Sequence, residues 1–192
     1  VFEKVENGDC DYGVVPIENS IEGAVTHTFD LLVDSDLKIC AHSQLEISHN
    51  LLSNSMLDKI EKVYSKFEVL GQCRHWLQEH LPKAEFVEVA STTRAAQIAA
   101  KEKNAAAIAS HLAADIYHLH ILKKGIEDSS HNITRFLVIS KTDARPTGED
   151  RTSILFSIKD KVGALHAMLE PFEENKINLT KIESRPSKKK AW

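Results

Sequence analysis

Residues 85–119 read EFVEVASTTRAAQIAAKEKNAAAIASHLAADIYHL. The segment from Glu85 to Val89 comes close to alternation, with only Phe86 and Val87 adjacent apolar residues, which suits a strand. From Thr92 to Lys101 the sequence is Ala-rich and helical in character. Ala105 to Ala109 forms a short uncharged strand, and Ser110 to Leu119 reads as a further helix. Strand then helix, twice in succession, favours a parallel or mixed sheet covered by helices.

Outward from this stretch the pattern repeats. Tyr12 to Pro16 is a short apolar run, Ala24 to Val33 is helical, and Leu37 to Ile47 is extended. Ile60 to Tyr64 is short and partly apolar. Val69, Cys73, Trp76, Leu77 and Leu81 recur at helical spacing, so residues 68–81 are expected as one amphipathic helix, stopped by Pro82. Ile133 to Ser140 is the clearest strand downstream. Residues 141–150, KTDARPTGED, have no apolar period and carry both Pro and Gly, so they read as a linker. Beyond it a strand (152–158), a helix (163–174) and a strand (178–183) make one βαβ unit. The expected domains are thus residues 1–142 and 150–192.

Composition narrows the function. With 42% hydrophobic and 27% charged residues, the chain can build an ordinary globular core. A net charge of −4 lacks the basic field of a general nucleic-acid binder. No apolar run approaches the roughly 18 residues that cross a bilayer, so no membrane partner is expected. Cys10, Cys40 and Cys73 are odd in number and form no CxxC pair, which suits reduced thiols in the cytoplasm. His111, His118 and His120 have no nearby cysteine to complete a ligand set. Positions 118 and 120 also point apart on a helix, and His75 and His80 are no better placed, so no metal is expected. The chain lacks an initiator Met and ends abruptly, so it reads as open at both ends.

Several strand ends lead into hydroxyl or amide side chains and then a helix: residues 14–20, 63–65, 87–93 and 107–110. Ser, Thr and Asn cap helices simply because their oxygens accept amide protons of the first turn. Helix N-termini also bind anions, and in open α/β sheets such ends gather on one side. Together they predict an uncharged, donor-rich pocket for a carboxylate-bearing small molecule. That prediction does not choose between enzyme and receptor.

Residues 16–23, PIENSIEG, resemble the PIEN(S/T)xxG motif of prephenate dehydratases. Ser91-Thr92-Thr93 with Ala95-Ala96 resembles that family's second motif, and Asn132-Ile133-Thr134-Arg135-Phe136 its TRF signature. Gly163-Ala164-Leu165-His166 and Glu183-Ser184-Arg185-Pro186 resemble the GAL and ESRP motifs of the ACT domain fused behind it. The five motifs stand in the family's order. The family's N-terminal GPxGTF-like motif is absent, which implies an incomplete first lobe. The ACT part stops after its first βαβ. After Ser65 the chain reads Lys66-Phe67-Glu68 where many members have His-Pro-Gln.

The resemblance implies a two-lobed catalytic domain like the periplasmic binding proteins, followed by a ferredoxin-like α+β ACT domain. It implies conversion of prephenate to phenylpyruvate, water and carbon dioxide, with L-phenylalanine as effector. It also implies a homo-oligomer, dimer or tetramer, and no cofactor. By the same resemblance Thr134 is the proton donor. Asn19, Ser65, Gln72, Ser91, Thr92 and Thr93 supply hydrogen bonds, and Ser20 and Phe136 belong to the substrate-binding set. Arg135 offers a planar fork for a carboxylate. Gly163, Ala164, Leu165, Glu183, Ser184, Arg185 and Pro186 form the phenylalanine site. Side chains alternate along a strand, so Thr134 and Phe136 face one way and Arg135 the other. Thr134 is therefore read as the chemical residue, and Arg135 stays between carboxylate partner and structural residue. Arogenate dehydratases carry the same motifs, two-lobed receptors share the architecture, and an ACT-like end can serve dimerisation alone.

Overall fold

The computed structural model describes residues 1–129, 131–158 and 160–184. They divide into two compact units, residues 1–148 and the stretch from Glu149 onward.

In the first unit, α1 (Phe2–Glu6) precedes β1 (Tyr12–Asn19), β2 (Gly23–Ala24), α2 (Thr26–Asp34) and β3 (Lys38–Glu46). Then come β4 (Asn50–Ser53), β5 (Lys62–Ser65), α3 (Phe67–Gln72), α4 (Arg74–His80) and β6 (Glu85–Glu88). The unit closes with α5 (Thr92–Ala99), β7 (Ala105–Ala109), α6 (His111–Tyr117), β8 (His120–Lys123) and β9 (Ile133–Ser140). Two sheets result, one per lobe. The first, β2-β1-β9-β3, is antiparallel throughout. The second, β6-β5-β7-β4-β8, is mixed: β5 runs parallel to β6 and β7, while β4 is antiparallel to β7 and β8. The chain crosses between lobes twice, from β3 to β4 and from β8 to β9.

The decisive stretch folds as its pattern requires. All five residues of β7 are buried. Ala105, Ala107 and Ala109 pack with Leu52, Tyr64 and the α5 residues Ala95, Ala96 and Ala99. Ala106 and Ile108 face the other way, into a core with Leu51, Val63, Val69, Cys73 and Leu77. Period-2 alternation thus sends one strand into two cores. Small side chains let helices sit close on both faces, and extra methylenes there would cost about 1–3 kcal/mol in strain. The first lobe has a separate, smaller core of Phe2, Val5, Val15, Leu37 and Ile139.

Within the first unit, several features depart from the sequence-based expectation. The expected helix over 68–81 breaks at Cys73 (φ −113°, ψ 15°) into α3 and α4. Asp128 occupies the break. Its amide donates to the Gln72 carbonyl at 2.7 Å, and its carboxylate accepts from the His75 amide at 3.2 Å. The expected helix over 110–119 stops at Tyr117, where His118 turns left-handed (φ 54°, ψ 46°), and β8 begins two residues later. Strand β4, absent from the sequence reading, is buried along its whole length. Helix α1 is likewise additional.

The second unit holds α7 (Ala164–Glu174), entered through Gly163 in the left-handed region (φ 77°). The strands expected at 152–158 and 178–183 join no ladder among the described residues. A strand exists only through its partners, and an isolated pair is marginal in water. Ile154, Leu155, Phe156, Ile177, Leu179 and Ile182 therefore stay exposed.

Cys73 is fully buried at the α3–α4 break. Burial, with the nearby carboxylates of Glu127 and Asp128, pushes its thiol up to about 12. The thiol therefore stays protonated at every pH below that, and only a thiolate attacks a disulfide reagent. At pH 8 such a reagent should label exposed Cys10 in the folded protein and reach Cys73 only on denaturation. Prompt labelling of Cys73, located by peptide mapping, would show that the break opens in the native state.

Candidate active site

Asn19 ends β1 and faces a tight turn. Its Oδ1 accepts from the backbone amides of Ile21 (2.9 Å) and Glu22 (3.0 Å). Two backbone donors on one oxygen leave a single orientation for the amide. Nδ2 must then donate, and it does so to Asn132 Oδ1 at 2.7 Å and to Thr134 Oγ1 at 2.9 Å.

The chain of donors continues. Asn132 Nδ2 donates to Gln72 Oε1 at 3.0 Å, and Gln72 Nε2 donates to Glu22 Oε1 at 3.2 Å. His49 Nε2 lies 2.7 Å from Gln72 Oε1. The cluster thus gathers Asn19 and Thr134 from the first sheet, Asn132 and His49 from the two lobe crossings, and Gln72 from the last residue of α3. The crossings run side by side: Ile47 donates to the Asn132 carbonyl (2.8 Å), Ile126 to the His49 carbonyl (2.9 Å), and the His49 amide to Glu127 Oε2 (2.9 Å).

Alternation along β9 separates Thr134 from Arg135. Thr134 stands opposite Asn19 and Arg135 opposite Glu18. Arg135 Nη1 lies 3.4 Å from Glu18 Oε2, with its Nε buried without a hydrogen-bond partner. Phe136, half-buried, shares the Thr134 side of the pleat.

The hydroxyls expected at the site are mostly engaged with backbone. Ser20 Oγ donates to the His131 carbonyl (2.6 Å) and accepts from the Ile133 amide (2.9 Å), clipping β1 to the β9 entry. Ser65 is fully buried and donates to the Ile108 carbonyl at 2.9 Å, a brace between β5 and β7. Ser91 caps α5 by accepting from the Arg94 amide at 3.0 Å. Thr92 and Thr93 open that helix, so their amides precede its first intrahelical bond. Because β5, β6 and β7 are parallel, Ser65, Ser91 and Ser110 lie along one sheet edge. No hydrogen bond joins Ser65, Ser91, Thr92 or Thr93 to the Asn19 cluster among the described residues.

Beside Gln72 opens a cleft of about 390 Å³ lined by Ile21, Glu22, Glu68, Glu127 and Asp128, with Gly71 and Ser129. This wall is acidic, where the strand ends predicted an uncharged one. Each carboxylate already accepts a donor: Glu22 from Gln72, Glu127 from the His49 amide, Asp128 from the His75 amide, and Glu68 from Lys66. Contact with its own backbone amide and with Lys66 holds the Glu68 carboxyl below its ordinary range.

The sequence reading missed Asn132, His49 and Glu22. Asn132 and Glu22 stood inside two of the family-like motifs, but His49 had no signal beyond its place in a short polar stretch, Ser48-His49-Asn50, before the apolar pair Leu51-Leu52. Among the described residues no cluster of His, Cys, Asp or Glu is arranged to hold a metal, and no helix is long and apolar enough to cross a membrane. Of the ACT-like positions, Gly163, Ala164, Leu165, Glu183 and Ser184 are described and largely exposed. Arg185 and Pro186 lie outside the described residues.

Comparison with known proteins is specific. The prephenate dehydratase family model matches residues 1–144, and the ACT domain model matches 152–192. A bifunctional chorismate mutase/prephenate dehydratase of Aquifex aeolicus is 53% identical over all of this chain, which covers 53% of that protein. A prephenate dehydratase of Methanocaldococcus jannaschii is 45% identical, with 99% of this chain matched to 70% of it. The structure of prephenate dehydratase from Arthrobacter aurescens in complex with L-Phe superposes with a TM-score of 0.82 at 33% identity, covering 96% of this chain and 64% of that one. The chain spans about half the length of the first of these relatives. By its two matched domains and its fold, this chain belongs to the prephenate dehydratase family, with an ACT domain following the dehydratase part.

Proposed function

We propose that this chain carries the dehydratase step itself. Prephenate loses its ring carboxylate as carbon dioxide, and the electron pair of that carbon–carbon bond enters the ring. The 4-hydroxyl leaves with its bonding pair, takes one proton and departs as water. Phenylpyruvate remains. Aromatisation drives both bond cleavages, so the protein's task is to align the two leaving groups and protonate one of them.

The observation that carries this reading is the 2.9 Å bond from Asn19 Nδ2 to Thr134 Oγ1. Asn19 can only donate there. Thr134 Oγ1 is therefore an acceptor toward Asn19, which leaves its own O–H free for the departing hydroxyl. An N–H donated to that oxygen also polarises the O–H, making it a better donor. A Thr hydroxyl is a weak acid, so its part is to orient the leaving group and pass a proton within a hydrogen-bonded chain.

A dianionic substrate needs donors away from the acidic wall of the cleft. The α5 N-terminus offers them: Ser91 as cap, the free amides of Thr92 and Thr93, and no acidic residue in the first turn. Ser20, Ser65 and Phe136 act through position, as clip, brace and apolar neighbour. Arg135, paired with Glu18, is better suited to fixing β1 on β9 than to receiving substrate.

The second half of the reading is regulation. The Arthrobacter aurescens relative is a complex with L-Phe. Gly163, Ala164, Leu165, Glu183, Ser184, Arg185 and Pro186 are the positions proposed to take the same amino acid here. The cytoplasm and a homo-oligomer, dimer or tetramer, belong to the same reading, and sedimentation of the full chain tests the second.

Turnover of prephenate to phenylpyruvate by the full chain as its gene encodes it is the direct test. Thr134→Ala should lower kcat by about 100-fold or more, the range of a lost proton-transfer partner, with its denaturation midpoint nearly unchanged. Thr134→Ser should keep much of the rate. Full activity in Thr134→Ala sinks the assignment, and turnover of arogenate alone would move the substrate. Calorimetric titration with L-phenylalanine tests the other half: Arg185→Ala should weaken binding by about tenfold, one lost charge-assisted contact. Undiminished binding would remove Arg185 from the effector site.

A further inference from the structure

His49 lies one residue before β4, on the first crossing between lobes, and is only 6% exposed. Its backbone is held on both sides, amide to Glu127 and carbonyl from Ile126. The ring approaches Gln72 Oε1 at 2.7 Å through Nε2. The reaction proposed above assigns it no role.

The direction of this bond follows from the rest of the chain. Suppose Nε2 carried no proton. Gln72 would have to turn its Nε2 toward the ring, placing an N–H donor against Asn132 Nδ2. Asn132 would then turn as well, bringing its Nδ2 against Asn19 Nδ2. Asn19 cannot follow, because Ile21 and Glu22 hold its Oδ1 through their backbone amides. Every alternative ends in two donors facing each other at about 3 Å, in a half-buried site where an unmet polar group is costly. Only a protonated Nε2 satisfies all five side chains.

We propose that His49 is a positioning residue for the dehydratase reaction, acting through Gln72. The backbone amides anchor one end of the amide chain, and His49 anchors the other. Between these anchors Gln72 keeps its carbonyl turned inward and its Nε2 turned toward Glu22 and the cleft. Asn132, gripped from both sides, keeps Asn19 and Thr134 in the same frame as Gln72. Without the His49 anchor, Gln72 and Asn132 gain freedom of about the size that costs one to two orders of magnitude in a well-aligned reaction.

This inference rests on the dehydratase reading, and the test separates the two. In protein labelled with 15N-histidine, His49 should show an Nε2–H proton slow enough in exchange to be observed. That signal should vanish in His49→Gln, which assigns it, and in Gln72→Leu. A missing signal, or one that survives Gln72→Leu, overturns the hydrogen bond whatever the activity. With prephenate, His49→Leu and His49→Asn should lower kcat about 10- to 100-fold while KM moves less than about threefold. Asn is too short to reach Gln72 but keeps a polar side chain should Leu prevent folding. His49→Gln, whose amide N–H reaches nearly the same point, should restore kcat to within about threefold of wild type. Equal loss in all three variants would reduce His49 to a structural residue, and no loss in His49→Asn would dismiss it. A wild type that leaves prephenate unchanged fails the dehydratase reading, and the inference with it, before any variant is compared.

Discussion

Two backbone amides fix the side chain of Asn19, and the polarity of the whole candidate site follows from them. Ile21 and Glu22 can point their N–H groups back at Oδ1 because the chain reverses sharply between Asn19 and Gly23, which pair across the β1–β2 ladder. Gly23 sits at φ +85°, and a Cβ there would meet nothing within 4 Å. Glycine is needed at this position for its backbone angle, with ample room around it. A turn of five residues thereby decides that Asn19 donates to Thr134.

The hydrogen bonds that follow add little net stability, since each merely replaces a bond to water and is worth about 1 kcal/mol. Their value is directional. Once one amide is locked, each neighbour has a single satisfactory orientation, and the order propagates across the two lobe crossings to Gln72. Each lobe keeps its own hydrophobic core, so the polar cluster is free to serve geometry. Carboxylates at the cleft are held by amides and a lysine in the same way, which keeps four like charges tolerable around one opening.

What the sequence revealed follows the range of the forces involved. The strands and helices between Glu85 and Leu119 were legible because composition marks them locally, alanine-rich helical stretches alternating with short strand-like ones. Four-residue strands such as β4 and β8 are too short for a period, and β4 is buried on both faces, so it shows no alternation. The break at Cys73 depends on Asp128, more than fifty residues away. The family resemblance named Asn19, Gln72 and Thr134, the first and last through motifs and Gln72 through its spacing from Ser65, while local pattern alone would have left them as polar residues at element ends. His49 and Asn132 became visible only when the fold brought together positions 23 to 113 residues apart. The hydroxyl-rich strand ends were read correctly as caps at Ser91, but Ser65 bridges strands instead, because β7 lies beside it with a carbonyl in reach. The apolar residues at 152–158 and 178–183 mark strand propensity, and propensity without a partner makes no ladder.

One irregularity shows how narrowly the site is set. β1 and β9 pair in strict register from Tyr12 to Pro16, then slip by one residue, so that Glu18 meets Arg135 and Asn19 meets Thr134. Pro16 has no N–H for the ladder, and such residues are tolerated beside bulges. Had the first register continued, Thr134 would stand opposite Glu18 and Asn19 opposite Ile133. A carboxylate facing Thr134 would accept its hydroxyl proton as a hydrogen bond, occupying the donor that the proposed reaction uses. Arg135 would lose its anion, and the amide chain its link to Asn132. The extra residue, Ile17, is buried, and its carbonyl accepts the Val25 amide, so the slip is anchored on both faces. A single bulge therefore sorts an acid from an amide along two neighbouring strands. It places the donor beside the hydroxyl and the acid beside the guanidinium.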